Sequence, residues 1–262
     1  MTNLLKIEWL KIRKYNTFWI LAGLFIVLLF AWNYFVGSGI LKLGNANVNV
    51  INTNYTFPSV WENVGHWTKF FSGLLAIIVI ILTTNEYQFR TNRQNVIDGW
   101  QRQQFFHAKW LIVVLMSVIV TAFTTLLGLG FALAHGSALS NATEHLDRMF
   151  YVFIMTMNYF GFALTLSFLI RKSGMTTIIF LLYAYIIEVM AQQFLNWKIP
   201  SHPGDLLPMQ CSAELLNFPM MDMMKNMMAK TGPSHNTLVL VSVAWIIIYY
   251  ITGRVRLLKS DW

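Results

Sequence analysis

The constraint that dominates this chain is a series of hydrocarbon runs broken by short polar stretches. Residues 70–82 and 110–120 are almost entirely apolar, and a polar segment from Glu86 to Lys109 is wedged between them. Several such runs approach or exceed the roughly 20 residues that carry a helix across about 30 Å of hydrocarbon. Backbone in lipid must satisfy its own hydrogen bonds, which leaves helices and closed barrels as spanning structures. The runs are continuously apolar rather than alternating, so helices are expected. Charged residues are only 11% of the chain, too few to cover a water-facing domain.

The apolar pattern predicts six spans, over about 17–37, 67–84, 108–134, 149–170, 174–196 and 237–253. The first follows a basic start and is longer than the apolar core of a signal peptide, so it reads as an uncleaved span. The polar connections fall into two alternating groups. Residues 1–16, 85–109, 171–173 and 254–262 hold 13 of the 19 basic residues and four acids. The other connections hold six basic residues and six acids. The positive-inside rule places the first group, with both termini, in the cytoplasm. The net charge of +8 then reflects orientation in a membrane, and nucleic-acid binding is not expected.

Residues 4–14 suit a helix with Leu5, Trp9 and Ile12 along one stripe. Such a helix would lie at the interface with its basic heads snorkelling to membrane lipids; a basic flank that only orients the first span is an equal reading. The Asn-rich residues 44–56 suggest a mobile outer loop. Between the prolines of residues 197–236, helix-capable pieces lie around 209–217 and 219–230. No internal repeat is present, and the whole chain, residues 1–262, reads as one transmembrane domain.

Within the polar segment, Thr91 or Asn92 can start a short helix and Gly99 can end it. That helix, over Asn92–Asp98, would present Arg93, Gln94 and Asp98 to a partner; an ordinary solvated loop is the bland alternative. In the fifth span Ala184, Glu188 and Gln192 share one face at i, i+4, i+8. A carboxylate in mid-membrane costs roughly 2.5–3.5 kcal/mol on insertion scales, so this face should turn to protein or water. It reads as a pathway or gate, or as an interhelical hydrogen bond made by a protonated Glu188.

The Met-rich residues 220–228, with His202, Cys211 and His235 in the same outer connection, make Cu(I) conceivable. A helix dipping its methionines into the membrane is the better reading, and no metal site is expected. No catalytic constellation is apparent, and one cysteine excludes an internal disulfide.

The pattern Glu86, Arg90-Thr91, Arg93-Gln94, Asp98-Gly99, Arg102 and Lys109 resembles the cytosolic loop of ABC-2-type permeases, the membrane subunits of a class of ABC exporters. Residues 4–14 resemble the opening interfacial helix of that family, and the six spans agree; Trp100-Gln101 depart from the small polar residues expected there. The resemblance implies an all-α membrane protein with six transmembrane helices and an N-terminal interfacial helix. It also implies a short cytosolic coupling helix between spans two and three and external re-entrant-type helices between spans five and six.

It further implies that Glu86, Arg90, Thr91, Arg93, Gln94, Asp98, Gly99 and Arg102 serve coupling to a separate ATPase subunit. ATP and Mg would be bound there and no cofactor by this chain, which has no Gly-x-x-x-x-Gly-Lys-Ser/Thr phosphate loop. A second permease copy, identical or related, would complete the pathway in a bacterial inner membrane. The competing functions are a membrane-embedded enzyme on lipid-linked substrates and an accessory sensor or anchor. The substrate is not legible in the sequence.

Overall fold

The computed structural model describes residues 2–38, 55–89, 91, 101–216 and 232–259, with backbone alone for residues 2–7. Among these, α1 (Thr2–Arg13) is followed by α2 (Asn16–Gly37), α3 (Ser59–Gln88) and α4 (Arg102–Ala134). Then come α5 (Asp147–Ile170), α6 (Ser173–Lys198), the short α7 (Gln210–Ala213) and α8 (His235–Lys259). No strand occurs among the described residues. Six of these helices, α2, α3, α4, α5, α6 and α8, are long and apolar enough to cross a membrane. The second outer piece, 219–230, and most of the Asn-rich loop lie outside the described residues.

The helices are graded from centre to periphery. In α3 and α5, 56% and 67% of the most apolar stretch is buried, against 22% in α2, α6 and α8. The central pair meets where Val152 lies beside Gly65 and Met155 beside Ser72, while Trp61 packs on Gly128 of α4 and Phe168 meets Phe106 of α4 and Gly253 of α8. The outer helices keep Ile20, Phe30, Ile178, Met190 and Ile251 exposed, as suits a surface that faces lipid.

Hydroxyl groups inside the bundle satisfy themselves along their own helices. Thr68, Thr83, Thr84, Thr165 and Ser167 each donate to the carbonyl four residues earlier. Thr165 also reaches Tyr249 O on α8 at 3.2 Å, and Thr68 Oγ1 lies 3.2 Å from Thr124 Oγ1 on α4. Without water to compete, these bonds tie helices together at little desolvation cost.

Two helices outrun the expected spans. α3 begins at Ser59 and ends at Gln88, and α4 begins at Arg102. Their polar ends remain helical because their charges find partners, among them Glu62 with Arg148 at 3.1 Å. The connection from α5 to α6 is only Arg171-Lys172, with Arg171 in the left-handed region at φ 59° and its guanidinium over the Tyr87 ring.

Candidate functional site

The ends of α3 and α4 form the two feet of the polar segment. Gln101 starts α4 with a reciprocal cap: its side chain accepts from Gln104 N–H, and Gln104 Oε1 accepts from Gln101 N–H at 3.1 Å. Thr91 Oγ1 donates to Glu86 O at 3.4 Å, and Arg102 donates to Leu258 O on α8 at 3.1 Å. Arg90, Arg93, Gln94, Asp98 and Gly99, with the expected Asn92–Asp98 helix, lie outside the described residues.

Between the feet sits a cluster of four charges. Lys109, about two turns into α4, is buried with its ammonium between two carboxylates, Glu8 Oε2 at 2.8 Å and Glu86 Oε1. Lys11 adds contacts to Glu86 at 3.1 Å and Glu8 at 3.5 Å. Two cations and two anions cancel, so their mutual attraction offsets the cost of taking the ions out of water. The cluster ties α1 to the last turn of α3 and to the first turns of α4. Asn85 reinforces it by donating to Tyr15 Oη at 3.1 Å. Beside it opens a cavity of about 180 Å³ lined by Lys11, Tyr15, Asn85, Glu86 and Thr91.

The cluster changes how the N-terminal helix is read. Its docked face is Glu8 and Ile12, both buried, whereas Trp9 is half exposed and packs edge-on against Trp19. The expected stripe through Leu5, Trp9 and Ile12 therefore does not define the packed side. Ion pairing with Lys109 rotates the helix instead. Glu8 went unrecognised because it looked like one acid in a basic flank. Its i, i+3 spacing to Lys11 and the lone lysine inside the third apolar run were the available signals.

The second constellation lies at the other ends of the helices. In α6 the buried residues are Thr176, Phe180, Ala184, Glu188 and Gln192, each four apart. Steps of four overshoot an α-helical turn by about 40°, so such a stripe would wind away from the bundle. A π turn over Tyr183–Ile187 takes up the overshoot and returns Glu188 and Gln192 to the protein side.

There Glu188 Oε1 accepts from the backbone N–H of Met209 at 2.6 Å and of Gln210 at 3.1 Å, at the start of α7. Lys69 donates to Ala213 O at the end of the same helix. Gln192 Nε2 donates to Asp205 and Glu214, while Asn196 binds Asp205 and accepts from Gly204 N–H. Residues 203–216 are thus a compact plug held by side chains of α3 and α6, and also by Asn158 and Trp245.

Cys211 is buried in this plug. Burial pushes its thiol up to about 11, so it stays protonated at neutral pH and donates to Pro208 O. No group of three His, Cys, Asp or Glu able to hold a metal occurs among the described residues. His202 lies beside Asp205, and His235 stacks on Tyr151. The Met-rich residues 220–228 lie outside the described residues.

Gly204 offers a direct test of the plug. A Cβ there would fall 2.5 Å from Gln192 O and 2.8 Å from Gln192 Cα, which are backbone atoms that cannot swing aside. Gly204→Ala is expected to lower stability by about 1–3 kcal/mol and to expose Cys211. Maleimide labelling of this single thiol, nearly absent in the parent protein, should become complete in the variant; unchanged protection would contradict the packing.

The family model of ABC-2 family transporter proteins matches residues 4–187. The chain belongs to this family. It is a multi-pass membrane protein of the ABC-2 transporters, a permease. The match takes in α1, the four-charge cluster and both feet of the polar segment, and it ends one residue before Glu188. The plug and the last span lie beyond it. None of the curated proteins compared with the permease matches it.

Proposed function

We propose that this permease is the membrane subunit of an ATP-driven exporter. A separate ATPase subunit, holding ATP and Mg, docks on residues 89–101 and moves the spans through the cluster of Glu8, Lys11, Glu86 and Lys109. The observation that carries this reading is the burial of that cluster between α1 and both feet of the segment. A displacement of either foot must move the N-terminal helix and two spans together, since separating the charges would leave ions unpaired in an apolar setting. Glu86 acts as a positioning residue, because it faces the bundle rather than a partner. Arg90, Thr91, Arg93, Gln94, Asp98, Gly99 and Arg102 are the docking candidates.

In this reading the ends bearing Arg102, Arg171, Lys172, Arg254 and Arg256 face the cytoplasm of a bacterium. α1 lies along the inner interface, and a second permease copy completes the pathway. Ala184, Glu188 and Gln192 belong to the outer half of the molecule, where Glu188 and Gln192 hold its plug against the spans.

Copurification tests the partner. The intact permease should bring down an ATPase from its host, and a chain lacking residues 89–101 should not. If both or neither do so, docking on this segment is wrong. Arg93→Ala and Asp98→Ala are expected to leave membrane insertion intact. They should reduce the permease-dependent change in ATP hydrolysis roughly tenfold; hydrolysis at the unaltered level would remove these residues from the coupling path.

A further inference from the structure

Along the flank of the bundle, between α4, α5 and α8, runs a crevice of about 570 Å³. Its walls include Leu111 and Val114 from α4, Met157 from α5, and Ile246 and Ile247 from α8. The volume falls within the range of small-molecule sites, about 300–1,000 Å³. The neighbouring Leu115, Val118, Ile251 and Val255 are exposed, so the crevice opens onto the surface that faces lipid rather than into the bundle.

One end of the crevice is polar. His107 and Tyr250 line it, with His107 Nε2 3.1 Å from Tyr250 Oη and the two rings nearly parallel. One turn further along α8 comes Arg254, beyond the residues that line the crevice. Its Nε is buried and has no hydrogen-bond partner among the described residues. Arg102 is drawn alongside the last turn of α8 by its bond to Leu258 O. Among the described residues no Asp or Glu pairs with Arg254. The crevice is apolar apart from His107 and Tyr250, and beyond that end Arg254 and Arg102 follow on α8 and α4 at the basic end of the helices.

We propose that this crevice is a binding site for an anionic phospholipid. One acyl chain fills the slot from Val114 to Tyr250, and the phosphate sits beyond its polar end, on Arg254 and Arg102. The crevice opens sideways at membrane depth, so a chain can enter from the bilayer without leaving hydrocarbon. Basic pockets between membrane helices are suited to such headgroups. The site goes beyond the exporter reading and rests on it only for the leaflet, the inner one; loss of the lipid site would leave ATPase copurification unaffected.

The test uses the permease with its ATPase in nanodiscs of phosphatidylcholine doped with phosphatidylglycerol carrying a mid-chain diazirine. After photolysis, labelled peptides are quantified by mass spectrometry. Label should concentrate on residues 107–114 and 246–250, several-fold above the exposed face of α2, which samples ordinary surrounding lipid. Val114→Trp, which fills the slot, should lower crevice label several-fold and leave α2 label unchanged. Arg254→Gln keeps the slot but should reduce the preference for phosphatidylglycerol over an equally labelled phosphatidylcholine, roughly fivefold. Equal label on the crevice and on α2 would overturn the site. Crevice label indifferent to headgroup and to Arg254→Gln would overturn the anionic lipid as its occupant.

Discussion

Lys109→Met is expected to be the most damaging single change at the polar ends of α3 and α4. It removes the buried cation that lies between Glu8 and Glu86 and leaves two carboxylates facing each other at 2% and 5% exposure. Breaking a buried pair from one side costs about 3–5 kcal/mol, so the melting temperature of the solubilised protein should fall by roughly 10 °C. Lys11→Met is the natural control. Its ammonium is a third exposed and reaches the same carboxylates at 3.1 and 3.5 Å, so its loss should cost about 1 kcal/mol or less.

A triple variant with Glu8→Gln, Glu86→Leu and Lys109→Met removes the three buried charges together and leaves only Lys11, a third exposed. It should recover most of the lost stability, since an apolar replacement of a buried ion cluster is often neutral. Permease-dependent ATP hydrolysis should nevertheless stay low, because apolar side chains fix no register between α1 and the two feet. Full recovery of both stability and coupling would reduce the cluster to packing.

The spans were legible because lipid imposes a length and a composition, and the expected 17–37 and 149–170 differ from Asn16–Gly37 and Asp147–Ile170 by a residue or two. The ends of α3 and α4 were not, since hydropathy falls wherever a charge appears and cannot tell a solvated charge from a paired one. Glu86 and Lys109 were both visible as residues of interest, yet their partner Glu8 comes from a helix some hundred residues before Lys109. In α6 the i, i+4, i+8 spacing turned Ala184, Glu188 and Gln192 to protein or water rather than lipid, and all three are buried. The π turn that keeps them there has no compositional signature. What Glu188 touches was also hidden, because its partners are backbone amides of Met209 and Gln210, and a backbone amide carries no sequence label.

That last contact gives the second large effect. Glu188→Leu keeps the volume and removes the acceptor, leaving the N–H groups of Met209 and Gln210 without it. Each buried unsatisfied amide costs about 1–3 kcal/mol. The plug should therefore open more readily, with amide exchange over residues 209–213 faster by roughly a hundredfold and Cys211 open to maleimide. Glu188→Gln retains an oxygen in place of Oε1 and should keep both exchange and labelling near the parent level. The pair of variants separates two roles that the position alone leaves mixed. If Gln loosens the plug as much as Leu does, the negative charge rather than the acceptor holds the start of α7. If Gln holds the plug while transport fails, the carboxylate has a further task in the pathway. The geometry favours a hydrogen-bonded anchor, because both amides converge on one oxygen while Lys69 holds the carbonyl at the opposite end of the same helix.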